Sequence, residues 1–130
     1  MKVLIVDGDW RFARHATTYL ESRAHLVVHQ TGAREALAQA EHWRPDLVIL
    51  AAEMSDKGVM ESFTKGQTRP AVLLTGRLDH YHLVWKAWQK GGDDVLIKPV
   101  MSSDELQMAI TTAMENATAG RRGRQVRTSA

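Results

Sequence analysis

The stretch PDLVILAAEMSD, residues 45–56, indicates the fold of this chain and raises the question of its function. Its apolar run, Leu47–Leu50, contains no polar residue, so the strand that it predicts must be buried on both faces. Strands of this kind are typical of parallel sheets that helices cover on both sides. Ligands of such folds bind at the carboxyl ends of the strands, where this strand continues into Ala51, Ala52 and Glu53. Two methyl groups at that position need an explanation.

Four other apolar runs alternate with amphipathic helical patterns along the rest of the chain. Strands are predicted at Lys2–Val6, Leu26–Val28, Ala71–Thr75 and Val95–Ile97. Helices are predicted at Trp10–Arg23, 33–43, Val59–Phe63, Asp79–Lys90 and after a capping box of Ser102 and Glu105. Right-handed crossovers then favour a three-layer α/β fold, a doubly wound sheet of five parallel strands, each followed by a helix.

Composition predicts one folded domain, residues 1–119, followed by a basic tail, residues 120–130. The chain has 130 residues, of which 44% are hydrophobic, and no cysteine that could form a disulfide or a thiolate metal site. We expect a cytoplasmic protein, because no run approaches the roughly 18 apolar residues of a membrane span and the N-terminus does not resemble a signal peptide.

The positive net charge of the chain comes from the tail alone. Residues 121–130 hold four arginines and no acid, so the remainder has 17 − 4 = 13 basic residues against 15 acidic ones. A mildly acidic body does not favour nucleic-acid binding by this domain. We expect the tail to be a disordered linker, and the alternative is a weak anion-binding arm.

The segments at the predicted strand ends resemble a known family. They read VDGD, LAAEM, LLTG and IKPV, at 6–9, 50–54, 73–76 and 97–100. Together with HWRPDLVIL, TGAREALAQAE and GGDDVLIKPV, they resemble the CheY-like receiver domain of bacterial two-component response regulators, from Lys2 to about Ala117. That family has two acids that hold Mg²⁺, an aspartate that accepts a phosphoryl group, a hydroxyl residue and a lysine before a proline.

Three positions of this sequence match the pattern of the family. Asp7 corresponds to the first acid, Thr75 to the hydroxyl residue, and Lys98 to the lysine, whose bond to Pro99 is often cis in the family. In that family the metal and the ammonium stabilise the charge of the transferring phosphoryl group, which the carboxylate attacks.

Other positions depart from the pattern. The second acid falls on Gly8, with Asp9 one residue further along, and the phosphoacceptor falls on Ala51. The aromatic residue that accompanies switching in the family falls on Val95. A laboratory change of aspartate to alanine would explain Ala51 but would not explain Gly8 or Val95.

We therefore expect a pseudo-receiver, a signalling module that binds partners without aspartyl phosphorylation, specific metal, cofactor or enzymatic activity. In the alternative interpretation the chain is still switched, either through an unconventional acceptor such as Asp9, Ser55 or Asp56, or by a small anion between Lys98 and Thr75.

The remaining candidates surround this pocket or lie on the neighbouring helix. Lys98 needs a new partner, for which Asp7 is the first candidate and Glu53 the second. Glu53 and Arg77 form an ion pair across the pocket or are separately solvated. The fourth helix carries Trp85 and Trp88, of which one is expected in the core and one exposed.

An exposed tryptophan there would anchor a partner on the face made by the fourth helix, fifth strand and fifth helix, which also includes Val95. The expected occupants of this face are a signalling protein, an output domain or, as a homodimer, a second copy of the chain.

Overall fold

The computed structural model describes residues 1–66 and 69–120 in full and residues 121–129 by their backbone alone. It contains one parallel sheet of five strands in the order β2-β1-β3-β4-β5. The elements are β1 (Lys2–Val6), α1 (Trp10–Ser22), β2 (Leu26–Gln30), α2 (Ala33–Trp43), β3 (Leu47–Ala51), α3 (Val59–Thr64), β4 (Ala71–Arg77), α4 (Tyr81–Gln89), β5 (Asp94–Lys98) and α5 (Ser103–Ser129). The predicted doubly wound α/β fold is confirmed.

Helices pack on both faces of the sheet and divide the core into two layers. Leu47 and Ile49 of β3 point toward α1 and α5, whereas Val48 and Leu50 point toward α2, α3 and α4. Successive side chains of a strand alternate between faces. Asp7, Ala51, Thr75 and Lys98 therefore share the α1/α5 face at the carboxyl edge of the sheet, a set that the register of the strands brings together.

Side-chain caps fix where two of the helices begin. The Phe12 N–H donates to Asp9 Oδ1 at 3.1 Å, which starts α1 directly after β1. The Glu105 N–H donates to Ser102 Oγ at 3.3 Å. The Glu105 carboxylate accepts from the Met101 N–H at 2.6 Å, one residue before the position that a standard capping box uses.

The boundary between β4 and α4 differs from the prediction. β4 extends two residues beyond Thr75, and a 3₁₀ turn, Leu78–His80, precedes α4, which begins at Tyr81 rather than Asp79. The extension is possible because Gly76 has no side chain: a Cβ there would collide with Val84 of α4. The close approach of α4 to β4 therefore depends on this glycine.

A buried ion pair fastens β4, β5 and α5 together at the opposite edge of the sheet. Arg69 binds both carboxylate oxygens of Asp93, at 2.8 and 2.9 Å, and the Val72 N–H donates to the same carboxylate at 2.8 Å. Asn116 of α5 donates to the carbonyl of Asp93 at 2.8 Å. This network holds β5 in register, and β5 carries Lys98 at its other end.

The tail predicted at 120–130 lies, after Gly120, outside the fully described residues. Within the described part of the chain, no helix has the length and apolar character needed to cross a membrane.

Candidate functional site

Asp7 is the centre of the candidate site. Its side chain is fully buried directly after β1. Lys98 Nζ donates to Asp7 Oδ2 at 2.7 Å, and Thr75 Oγ1 donates to the same oxygen at 3.3 Å. The Asp9 N–H donates to the other oxygen, Oδ1, at 2.9 Å. The Asp7–Lys98 pairing predicted from the sequence is therefore present, and Thr75 joins it.

The ammonium group of Lys98 has two further neighbours. Asp9 Oδ2 lies 3.3 Å from Nζ, and the centre of the Phe12 ring lies 4.8 Å from it. Only 11% of the Lys98 side chain is exposed. One cation thus lies between two carboxylates and an aromatic face, so its charge is satisfied inside the site.

Asp9 has two functions in this geometry, since it both caps α1 and pairs with Lys98. Partial burial raises the pKa of Asp9, but the N–H of Phe12 and the Lys98 ammonium outweigh it and hold the pKa below its ordinary value. The sequence left the direction of this side chain open. The structure shows that it turns toward Lys98.

Two of the positions that depart from the receiver pattern, Gly8 and Ala51, have no side-chain oxygen. Ala51 is buried and lies opposite Thr75 in the β3–β4 register. Gly8 is exposed, and a Cβ built there would meet no atom within 4 Å. No neighbouring atom would therefore exclude a Cβ at Gly8.

The side chains present do not fit a magnesium site. Mg²⁺ requires near-octahedral oxygen ligation, usually through carboxylates and water. Here the carboxylates of Asp7 and Asp9 both bind Lys98, while Gly8 and Ala51 contribute only backbone atoms. In residues 1–66 and 69–120, no three histidine or acidic side chains converge as metal ligands.

Of the two alternatives for Glu53 and Arg77, the ion pair between them does not form. Arg77 instead forms a fork with Asp79, with Nε–Oδ1 and Nη2–Oδ2 distances of 3.1 and 3.2 Å. The hydrogen bonds to Asp79 also raise the pKa of Arg77. Asp79 lies only two residues after Arg77, in the 3₁₀ turn, so this local partner is closer along the chain than Glu53, which lies on another loop. Glu53, the second candidate partner of Lys98, makes no ion pair within the described residues.

Two residues considered as unconventional phosphoacceptors have other partners. Ser55 is buried, and its hydroxyl donates to the carbonyl of Ala52 at 2.6 Å. Asp56 lies 3.5 Å from Lys90 Nζ. Neither one forms a hydrogen bond or ion pair with Lys98 or Thr75.

Two contacts of the site were not predicted from the sequence. His29 Nε2 lies 2.7 Å from the backbone oxygen of Asp7, and the His29 ring meets Trp10 edge-on. Because a carbonyl only accepts, Nε2 of His29 is the donor. The second contact is that of the Phe12 ring with the Lys98 ammonium. The signal available for Phe12 was its position in the first turn after Asp9.

The fourth helix separates its two tryptophans. Trp88 packs against the core together with Val95, whereas Trp85 is 49% exposed. Among the described residues, eight large apolar side chains are exposed, and six of them belong to α4, β5, α5 or the adjoining turns: Leu78, Tyr81, Trp85, Ile97, Met101 and Met108. We refer to these six as the α4–β5–α5 surface.

Comparison with known proteins gives relatives of low identity. No family model matches the chain. The transcriptional regulatory protein ResD of Bacillus subtilis (strain 168) is 24% identical over 119 residues, which are 89% of this chain and 49% of ResD. The chain thus spans about half the length of this curated relative.

Solved structures resemble the chain over nearly its whole length. The signal receiver domain of a LuxO repressor protein from Vibrio parahaemolyticus is 22% identical, with a TM-score of 0.74 over 91% of this chain and 92% of that domain. NtrX from Brucella abortus is 21% identical, with a TM-score of 0.80 over 97% of this chain and 29% of NtrX.

A CheY-like receiver domain protein from Methanospirillum hungatei is 22% identical, with a TM-score of 0.71 over 92% of this chain and 98% of that protein. These likenesses agree with the fold that the sequence predicted. The Lys98–Pro99 peptide bond is also cis, as the resemblance of the sequence implies. The chain has the CheY-like fold of response-regulator receiver domains.

Proposed function

We propose that this chain is a signal-transduction interaction module, a degenerate receiver that acts without aspartyl phosphorylation. The observation that carries the proposal is the buried methyl group of Ala51 at the end of β3, beside an Asp7 carboxylate already bound to Lys98. A methyl group has no lone pair with which to attack phosphorus. The cation that would stabilise the transferred group is already neutralised by two carboxylates.

The alternative of a small anion between Lys98 and Thr75 has less support. Both donors bind the same oxygen of Asp7, so an anion would have to displace a fully buried carboxylate from its partners. Leaving that carboxylate buried without its ammonium would cost several kcal/mol. Asp9 as an acceptor would have to give up its cap on α1 and its contact with Lys98.

The partner is proposed to bind at the α4–β5–α5 surface, with Trp85 as anchor. Exposed tryptophans are frequent hot spots of protein interfaces, and the grouping of apolar side chains on these elements favours such use. ResD and NtrX are both much longer than this chain. The proposed occupant is an output domain or a separate cytoplasmic signalling protein, and a second copy of the chain is the other candidate.

The protein is further proposed to have one resting conformation. Val95, at the position of the switch aromatic, packs against the core with Trp88 and has no large alternative position to occupy. A ligand shifts two states only if it binds them differently.

Amide chemical shifts of β4 and β5, recorded with and without beryllofluoride as a phosphoryl mimic, test the proposal. We expect no change in the natural chain and a change in the Gly8→Asp/Ala51→Asp variant, which restores both carboxylates. A response of the natural chain, or exchange broadening along β4 and β5 before any addition, would contradict the proposed single state.

A further inference from the structure

An open cleft lies beside the Lys98 site, between α1 and the turns that follow β4 and β5. Its volume is about 960 Å³. Phe12, Leu78, Pro99 and Val100 give it an apolar lining, and Leu78 is 70% exposed. An apolar body bound in the cleft would cover this leucine side chain. The volume falls in the range of about 300–1,000 Å³ that is usual for sites of small organic ligands.

The charges at the cleft differ in how far they are already satisfied. The acids are Asp9, which binds Lys98, and Asp79, which binds Arg77. Arg77 uses Nε and Nη2 in that fork, so Nη1 remains outside it. Arg11 lines the cleft and is exposed, and it has no ion-pair partner within the described residues. Arg11 and the Nη1 edge of Arg77 thus leave guanidinium N–H donors at the cleft that no ion pair among the described residues uses.

We propose that this cleft binds a small organic anion with a flat apolar body, such as an aromatic carboxylate, sulfonate or phosphate ester. The apolar body would lie against Phe12, Leu78 and Val100, and the anionic group would meet Arg11 and the unused edge of Arg77. A guanidinium suits this role because its planar fork matches the oxygens of such anions. This site differs from the buried space between Lys98 and Thr75, whose donors are both bound to Asp7.

The position of the cleft gives such a ligand a regulatory role, a consequence that rests on the proposed function. Leu78 lies both in the cleft and on the α4–β5–α5 surface, three residues before Tyr81. Val100 precedes Met101 of the same surface. A bound anion would therefore contact the turns that contain Leu78 and Val100. It would restrict their movement next to the α4–β5–α5 surface.

Naphthalene-1-sulfonate is the probe, because it combines a flat apolar body with a charge that does not titrate near neutral pH. We expect saturable amide shifts confined to the cleft, with a dissociation constant of roughly 1 mM or lower. The neutral analogue 1-naphthalenemethanol and the small anion methanesulfonate should each bind at least about fivefold more weakly, because each lacks one of the two interactions.

Variants at exposed positions locate the site without disturbing the fold. Arg11→Gln and Leu78→Ser should each lower the affinity for naphthalene-1-sulfonate at least about fivefold. Arg14→Gln, also on α1 but outside this cleft, should leave that affinity unchanged within about twofold. The proposal fails if no saturable shift occurs up to roughly 5 mM. It also fails if the shifts centre on Trp85 or if the neutral analogue binds with the same affinity as the sulfonate. It fails again if Arg14→Gln lowers the affinity as much as Arg11→Gln does. None of these results depends on phosphorylation or on a partner, so the proposed function is tested separately.

Discussion

Replacing Lys98 by methionine would remove the only cation that faces the buried Asp7 carboxylate among its described neighbours. Methionine keeps most of the apolar stem, so the change isolates the ammonium group. Breaking a buried ion pair from one side typically costs about 3–5 kcal/mol. Asp7 would retain the Thr75 hydroxyl and the Asp9 N–H as donors. We therefore expect the free energy of unfolding to fall by about 3 kcal/mol, the lower end of that range.

Urea unfolding at pH 7, followed by tryptophan fluorescence, would measure this loss, with Lys86→Met on the exposed side of α4 as the matched control. The control should change the free energy of unfolding by less than about 0.5 kcal/mol. The double variant Asp7→Asn/Lys98→Met should cost at least about 1.5 kcal/mol less than the sum of its two single changes, because neither buried charge then remains. A loss below about 1 kcal/mol for Lys98→Met, or additive single changes, would refute the account of the pair.

Three other predictions concern the cap, the surface and the packing of α4. Because the folded-state pKa of Asp9 lies below its ordinary value near 3.9, ionised Asp9 contributes stability above about pH 4 that is lost as the pH falls through the lowered pKa. Asp9→Ala should thus cost about 1 kcal/mol at pH 7 in urea unfolding, and a cost that does not shrink toward pH 2.5 would contradict this. Trp85→Ala should weaken partner binding or self-association by roughly 2 kcal/mol in sedimentation or calorimetry. Trp10→Ala, also exposed but outside the α4–β5–α5 surface, should have no effect. Equal effects of the two changes would argue against binding at that surface. Gly76→Ala should destabilise the fold by about 1–3 kcal/mol through overpacking against α4. Gly8→Ala, whose Cβ would meet no atom within 4 Å, should cost under about 1 kcal/mol. Similar costs would show that the close approach of α4 to β4 does not depend on Gly76.

The sheet could be predicted from the sequence because its determinants are local and periodic. Runs such as Leu47–Leu50 indicate strands buried on both faces, and right-handed crossovers leave few ways to connect five of them. The pairing of Lys98 with Asp7 was expected from the resemblance to receiver domains, which implies that both residues lie at the carboxyl edge of the sheet. The predicted element boundaries were less accurate: β4 passes through Gly76 because α4 packs directly on it.

The contacts that the sequence did not predict depend on tertiary distances or on competition between partners. Arg69 and Asp93 are 24 residues apart and have no periodic signal that would join them. Arg77 pairs with Asp79 and not with Glu53 because of the conformation of the turn after β4. Residue propensities do not predict that conformation. His29 reaches the carbonyl of Asp7 because β2 pairs with β1, and their separation of 22 residues in sequence gives no sign of this contact.

Intact-mass measurement after incubation with acetyl phosphate and Mg²⁺ shows whether this chain has a phosphoacceptor. The Gly8→Asp/Ala51→Asp variant serves as the control for the reagents, since it places carboxylates at both missing positions. We expect the mass of the natural chain to remain unchanged, because Ala51 has no group that could attack phosphorus. A stable gain of one phosphoryl group, mapped to a residue near the end of β3 or to Asp9, would contradict the account.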